Sequence, residues 1–149
     1  ARAEAAARAA TVAGLLVAAS LLGLALGSPA EPSGPRVHLV ARRVGGSPLL
    51  ATRRGLTLYW FARDSPTRSH CSGTCAAIWP PVLGDPVATR GITGTFGTIR
   101  RSGGRLQATY DGHPLYTFSG DSPGTARGNG LVLNGGRWYE MRVNGQNRI

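Results

Sequence analysis

The sequence contains a long phrase twice, and this repeat constrains the fold more than any other feature. Displacing the chain by 57 residues lays LLATRRGLTLYWFARDSP, residues 49–66, over LQATYDGHPLYTFSGDSP, residues 106–123, with ten identities in 18 positions. Upstream, RRVGG at 42–46 matches RRSGG at 100–104 at a displacement of 58. A match of this length indicates a duplication, so we expect two copies of one supersecondary unit.

Each copy has the pattern of a β-hairpin. Asp111-Gly112 separates LQATY from HPLYTF, and Asp-Gly is a strong signal for a two-residue type I′ turn, which needs positive φ at both central positions. Arg54-Gly55 occupies the corresponding place in copy one, with a weaker first residue. A lone hairpin is marginal in water, so the two copies are expected to bury their apolar faces together.

These patterns predict a mainly β fold in which duplicated antiparallel hairpin units form one small sheet assembly with pseudo-two-fold symmetry. A short helical turn after the cysteines is predicted, over 74–78, and Pro80-Pro81 is expected to end it after Trp79. The predicted strands cover 36–42, 48–53, 56–62, 96–101, 105–110, 113–118 and 137–143.

The Leu-Tyr-x-Phe phrase places aromatic residues in register on one face of a strand. Period-two alternation puts the Tyr and Phe of each copy on one face and the preceding Leu on the other. Aromatic residues in such register most often form a core. They are Tyr59 and Phe61 in copy one and Tyr116 and Phe118 in copy two, and the leucines are Leu58 and Leu115.

The repeated Asp has two interpretations. Asp64 and Asp121 each lie three residues past Phe and just before Ser-Pro, where an Asp side chain can accept backbone N–H bonds and close a turn. The alternative is a pair of carboxylates used for acid–base or metal chemistry. The turn role is the better supported, because no further ligands or catalytic partners are spaced nearby.

The N-terminus has the order of a secretory signal. Arg2 and Arg8 precede the apolar run TVAGLLVAASLLGLALG, and a small, Pro-rich polar stretch follows. We predict an N-terminal hydrophobic signal helix within a signal peptide over 1–27, with an uncleaved signal anchor as the alternative, since residues 9–30 carry no charge. A Pro-rich linker over 28–35 would then lead into a secreted β-repeat domain over 36–149, with copy one at about 36–95 and copy two at about 96–149.

All 17 basic residues are arginines, and the net charge is +10. A Lys-free chain rich in Ala, Gly and Arg is typical of a GC-rich coding sequence, so the excess of arginine can reflect mutational bias. The arginines are also scattered, whereas nucleic-acid readers usually cluster them beside stacking aromatics. Specific nucleic-acid binding is therefore disfavoured, and loose attraction to anionic cell-surface polymers is favoured over it.

The two cysteines lie in CSGTC, in a segment that follows only the first copy. An even count in an apparently exported chain favours a disulfide between Cys71 and Cys75. The alternative is copper binding or thiol redox chemistry, with His70 beside the two soft sulfur ligands. No cofactor is predicted under the disulfide interpretation.

Taken together, the motifs GLTLYWFARDS, CSGTCAAIWPPV, GTIRRSGGRLQATYDGHPLYTFSGDSPG and GGRWYEM resemble a bacterial secreted-repeat family of predicted lipoproteins with a Tyr-x-aromatic-x-x-Asp motif. The resemblance covers about residues 36–143. It implies that the family motif falls on Tyr59, Phe61, Asp64, Tyr116, Phe118 and Asp121, and the paired cysteines on Cys71 and Cys75. Ser28 stands where a lipid-bearing Cys would be needed, which argues against lipid tethering.

The resemblance implies no biochemical activity, because none is established for that family. We expect a secreted or extracytoplasmic protein, held at the bacterial membrane only if the N-terminal segment is uncleaved. Its expected role is a non-enzymatic module that binds an unidentified envelope component or protein. The alternatives are a copper-binding or thiol-redox accessory protein and, less favoured, an enzyme that acts on wall polymers through Asp64 and Asp121.

Overall fold

The computed structural model describes residues 34–144 and residue 147. Nine strands and one five-residue helix make up the regular structure of this part of the chain. The predicted signal helix and most of the linker lie outside the described residues. The elements are β1 (Arg36–Val44), β2 (Ser47–Thr52), β3 (Tyr59–Phe61), α1 (Thr74–Ile78), β4 (Asp85–Ala88), β5 (Phe96–Arg100), β6 (Leu106–Tyr110), β7 (His113–Pro114), β8 (Val132–Leu133) and β9 (Gly136–Glu140).

The strands form three small sheets rather than one. Their orders are β2-β1-β4, β3-β9-β8 and β5-β6-β7, linked by isolated bridges. The mainly β class is confirmed, and the helical turn lies where it was predicted. The hairpins pair antiparallel as predicted, but β1 also pairs with β4 in parallel, which the predicted antiparallel assembly did not include. Residues 85–88 carry no period-two pattern strong enough to reveal that strand. No helix of the described residues is long and apolar enough to span a membrane.

The two repeat turns differ in geometry. Asp111 and Gly112 have φ values of 48° and 81°, as the type I′ prediction requires. At the corresponding turn of copy one, Gly55 has positive φ but Arg54 does not, and the N–H of Gly55 bonds to the carbonyl of Thr52. The prediction that Arg54-Gly55 forms the same two-residue turn was therefore wrong. Asp adopts the left-handed conformation more readily than Arg, and copy one instead uses a longer connection with glycine at its end.

This longer turn shifts the register of the repeat. The N–H of Leu58 bonds to the carbonyl of Leu50, whereas the equivalent N–H of Leu115 bonds to the carbonyl of Ala108. Leu50 therefore occupies the place of Ala108, although the sequence match aligned it with Gln107. The extra residue lies in the turn after β2, so β2 matches β6 at a displacement of 58 rather than 57. Arg43 lies opposite Pro48 and Arg100 opposite Leu106, so strand pairing makes Arg43 equivalent to Arg100, although the sequence match of 42–46 aligns Arg42 with it.

The two copies meet at Tyr59 and Tyr116, which exchange a pair of backbone hydrogen bonds of 2.8 Å and 3.0 Å. From this bridge each copy continues along the end of the other. In copy one, β3 pairs with β9, which belongs to copy two. In copy two, Thr117 and Ser119 donate backbone bonds of 2.9 Å to residues 80 and 78 of copy one. The copies are therefore interlocked around a pseudo-two-fold axis.

Two hydrophobic cores lie on opposite sides of the interlocked strands. The first contains Leu58, Trp60 and Leu115, together with leucines of β1 and β2. The second contains Tyr59, Phe61 and Tyr116, with Phe118 packed against it. This division follows the alternation of the sequence, because neighbouring residues in an extended chain point to opposite faces. The second core carries the repeated motif, and the cysteines lie within it.

Candidate functional site

The second core is built around two stacked indoles. Trp79 and Trp138 lie with ring centroids 3.9 Å apart and planes only 3° from parallel. Phe61 stacks on Trp138 at 4.2 Å, and Phe118 stacks on Trp79 at 4.4 Å. The stacking of Phe on Trp in one copy thus has its counterpart in the other. The two indoles lie at the pseudo-two-fold axis and join the copies.

The tyrosines of the motif cross between the copies. The Tyr59 hydroxyl donates to Asp121 Oδ2 at 2.6 Å, and the Tyr116 hydroxyl donates to Asp64 Oδ2 at 2.5 Å. Each carboxylate is therefore bound by the tyrosine of the other copy, not by the one five residues before it. Tyr59 and Tyr116 are fully buried, so these bonds satisfy polar groups that water cannot reach.

The second oxygen of each Asp holds its own loop. Asp64 Oδ1 accepts the backbone N–H of His70 at 2.7 Å, and Asp121 Oδ1 accepts that of Arg127 at 2.8 Å. In both copies the donor lies six residues after the Asp. The carboxylates thus accept loop N–H groups, as a turn role requires, but they close a wide loop and not only the turn at the strand end.

Burial changes the protonation of these groups. Burial raises the pKa of the Tyr59 phenol, and the hydrogen bond to Asp121 raises it further. Burial and the negative charge of Asp64 raise the pKa of Tyr116 in the same way. Burial also raises the pKa of Asp64, against the opposing effect of its bonds from His70 and Tyr116. Both tyrosines therefore remain neutral donors at physiological pH.

The hydroxyls of Tyr59 and Tyr116 accept hydrogen bonds from different kinds of donor. Tyr59 receives the backbone N–H of Gly128 at 3.2 Å, and a Cβ at this glycine would lie 2.8 Å from the Trp79 ring. Tyr116 lies 2.6 Å from the hydroxyl of Ser69, which is the donor because the phenol proton is directed to Asp64. The donor to the tyrosine hydroxyl is therefore a backbone N–H in copy two, that of Gly128, and a side-chain hydroxyl in copy one, that of Ser69.

Cys71 and Cys75 form a disulfide, with Cα atoms 5.2 Å apart. Both residues are buried in the second core, and α1 begins at Thr74 between them. These are the only cysteines of the chain, so no thiolate remains as a metal ligand while the bond is intact. Residues 34–144 and 147 contain no group of three or more His, Cys, Asp or Glu side chains placed to hold a metal ion, and the copper alternative has no support there.

The cysteine segment of copy one is fastened to copy two by Arg101. Its Nη2 donates to the Cys71 carbonyl at 2.6 Å, and its Nη1 donates to Ser69 Oγ at 2.9 Å and to Gln107 Oε1 at 2.7 Å. Gln107 is fully buried and donates in turn to the Leu115 carbonyl at 2.8 Å. Two features found in only one copy each, the disulfide loop and this Arg-Gln pair, therefore meet at one place.

His70, the third candidate ligand of the copper alternative, lies at the edge of this arrangement. Its Nδ1 is 4.0 Å from Asp64 Oδ1, and its side chain is 44% exposed. It contributes its backbone N–H to Asp64, which requires no imidazole chemistry.

Trp79 and Trp138 were not among the residues predicted to form the site. A signal was present, because IWPPV at 78–82 and RWYEM at 137–141 align on Trp at a displacement of 59. The different loop lengths after the two Asp residues hid this third segment of the repeat. Arg101 was missed for another reason, since two of its partners, Ser69 and Cys71, lie in the other copy, and Gln107 matters because it bonds to Arg101.

Comparison with protein families finds the same two copies that the structure shows. The chain matches the model of a family described as a secreted repeat of unknown function, over residues 40–83 and 97–139. The protein belongs to this family, and the two matched segments each contain one Tyr, Asp and Trp of the shared core. No curated protein and no solved structure matches the chain. It is thus an extracytoplasmic protein of a family without a known activity.

Proposed function

We propose that the protein is a non-enzymatic module of the cell envelope that binds an anionic envelope polymer through its arginines. The observation that carries this proposal is that most arginines are exposed and have no carboxylate partner. Residues 34–144 contain 14 arginines and five acidic residues, and twelve of these arginines are exposed. Within this part of the chain only Arg142 has a carboxylate oxygen within 4.0 Å, that of Glu140 at 3.1 Å.

The acidic residues do little to neutralise this surface. Asp64 and Asp121 are committed to tyrosines and loop amides inside the molecule. Surface arginines that lack carboxylate partners attract polyanions through a field that salt weakens. The exported location places an anionic polymer of the cell surface within reach of the protein, which favours such a partner over intracellular nucleic acid.

The repeated residues support a binding role over catalysis. A wall-polymer enzyme that used Asp64 and Asp121 would need both carboxylates free in one cleft. Instead, each accepts two or more hydrogen bonds, and the Asp64 side chain is only 1% exposed. The motif therefore acts as a brace that keeps the arginine-bearing loops in place.

Sedimentation with purified cell walls tests the proposal. Full-length protein is mixed with walls that retain their anionic polymers and with walls from which these have been extracted. We expect binding to the intact walls only, with loss as salt rises from about 50 mM to 500 mM, where the Debye length falls well below 10 Å. Equal binding to both preparations, or binding that salt does not weaken, would contradict the proposal.

A further inference from the structure

A polar cavity of about 240 Å³ lies beside the disulfide, where the two copies meet. Apart from Cys71, its lining consists of three arginines and three serines, and no acidic residue lines it. Positively charged guanidinium groups and neutral hydroxyl groups, all hydrogen-bond donors, thus surround one small volume. The lining residues are Arg68, Arg100, Arg101, Ser69, Ser72 and Ser102.

Arg101 carries an unneutralised charge into this cavity. It is half-buried, and its three hydrogen bonds go to a hydroxyl, an amide oxygen and a backbone carbonyl, all of them neutral. Burial raises the pKa of Asp64, and the charge of Arg101 opposes this only in part. No oxygen of Asp64 lies within 4.0 Å of the Arg101 guanidinium nitrogens. A guanidinium has five N–H donors, so two of those on Arg101 remain for a ligand.

The other two arginines are placed by rigid local structure. Arg100 donates from Nη1 to the Gly104 carbonyl at 2.9 Å, which holds it against the turn after β5. The backbone of Arg68 exchanges two hydrogen bonds with Ser65, of 3.0 Å and 3.3 Å. The disulfide closes the loop 71–75 that carries Ser72, and the Ser69 hydroxyl is held beside it by bonds with the backbone of Cys71. The Arg100 side chain and the backbone that carries Arg68 are therefore held before binding, which reduces the ordering entropy that binding costs.

We propose that this cavity binds a phosphate-type oxyanion, and that it is the specific contact with the polymer. Guanidinium groups bind phosphate through paired N–H donors, and serine hydroxyls supply further donors at short range. This assignment rests on the proposed function for the source of the ligand, a phosphodiester in an envelope polymer. The chemistry of the cavity itself needs only the phosphate group.

The cavity occurs once, although the fold is duplicated. Arg43 and Arg100 are equivalent, since each donates from Nη1 to a glycine carbonyl of the following turn. The next residue is Val44 in copy one and Arg101 in copy two. Copy one therefore lacks the half-buried guanidinium, and one phosphate group is expected per chain.

Two charge-matched double variants of the full chain test the site. Arg68→Gln with Arg100→Gln changes two lining residues, whereas Arg53→Gln with Arg54→Gln removes two exposed charges that do not line the cavity. Inorganic phosphate is titrated by calorimetry. We expect one site per wild-type chain, affinity at least about tenfold weaker in the first double variant, and a change of less than about twofold in the second. Equal losses in both variants would reject the cavity and indicate diffuse attraction.

Further titrations distinguish the source of the anion. A poly(glycerol phosphate) should bind wild type and depend on Arg68 and Arg100, whereas poly(glutamate) of equal length should bind more weakly. Equal affinity for the two polymers would overturn the phosphate assignment, and preference for phosphatidylglycerol vesicles would overturn the polymer assignment. Binding of poly(glycerol phosphate) that is equal in both double variants would leave the proposed function intact and refute the site. Binding of phosphate in the cavity without any polymer binding would support the site and refute the proposed function.

Discussion

The hydroxyl of Tyr59 donates a 2.6 Å hydrogen bond to the carboxylate of Asp121, 62 residues away in the sequence. The pair Tyr116 and Asp64 makes the matching bond in the opposite direction. The motif therefore works as a reciprocal clasp between the copies. Its residue types could support acid–base chemistry, but here the hydroxyls and one oxygen of each carboxylate join the two halves of the fold, and the other oxygen holds a loop of its own copy.

Removing the hydroxyl of Tyr59 should destabilise the protein about as much as removing that of Tyr116. Tyr59→Phe or Tyr116→Phe leaves a buried carboxylate oxygen without its donor, at a cost of about 1–3 kcal/mol. The free energy of unfolding is measured by urea denaturation. Tyr139→Phe is the matched control, because the Tyr139 hydroxyl has no hydrogen bond among the described residues, and it should change stability by less than about 0.5 kcal/mol. Equal effects of all three variants would contradict the clasp.

The stacked indoles should be visible in circular dichroism. Trp79 and Trp138 lie close enough for their electronic transitions to couple, so we expect a couplet that Trp79→Phe or Trp138→Phe abolishes. Trp60→Phe is the control, since Trp60 stacks on Tyr139 and lies in the other core. A couplet that survives Trp138→Phe would show that the indoles are not stacked in solution.

The two indoles should nevertheless differ in their contribution to stability. Trp138 Nε1 donates to the Leu133 carbonyl at 3.2 Å, whereas the buried Trp79 Nε1 has no acceptor within the described part of the chain. Replacement of Trp138 by Phe removes a made hydrogen bond, so it should cost about 0.5–1.5 kcal/mol more than the same change at Trp79. Denaturant melts of the two variants measure the difference, and the opposite order would refute this account.

Opening the disulfide should weaken the fold without abolishing it. The bond joins residues four apart, and constraining so short a loop is worth about 2 kcal/mol in the chain-entropy model. Thermal melts with and without reductant should show this loss in wild type and none in the double variant Cys71→Ser and Cys75→Ser. Intact mass before and after alkylation checks that the pair is oxidised at the start. A wild-type melt unaffected by complete reduction would contradict the expectation.

Stability should fall as the pH drops through the ordinary range of histidine. Burial lowers the pKa of His113, which lies 4.3 Å from the Trp60 ring and bonds to the Asn147 carbonyl. Because the unfolded chain takes up a proton near pH 6.5 and the folded chain resists it, the folded state loses stability below that pH, until the folded pKa is reached. Urea melts from pH 8 to 5 should show this slope, reduced in His113→Gln and retained in His38→Gln.

The local structure was largely accessible from the sequence. Alternation assigned Leu58 and Leu115 to one core and Tyr59 and Tyr116 to the other, because period two dictates faces directly. The Asp111-Gly112 turn and α1 followed from backbone preferences of single residues. Such features depend on neighbours in the chain, and the sequence shows all of these neighbours.

The pairing of the copies was not accessible in this way. Nothing in the spacing says that Asp64 binds Tyr116 rather than Tyr59, since either tyrosine satisfies the carboxylate chemically. The choice is made by the Tyr59–Tyr116 bridge, which sends each strand along the end of the other copy. The parallel pair of β1 and β4 was missed for the same reason, because a face pattern specifies which side is buried and not which strand lies alongside.

The interlocked ends have a consequence for the origin of such chains. A polypeptide with a single copy would lack the strand that pairs with the end of its own, as β9 pairs with β3, and a second molecule of itself would supply it through a self-complementary interface. In that homodimer any site would occur twice. Joining the halves frees each to change alone, so one half could acquire a disulfide loop and the other an arginine. An asymmetric cavity at the junction is something that only the fused chain can possess.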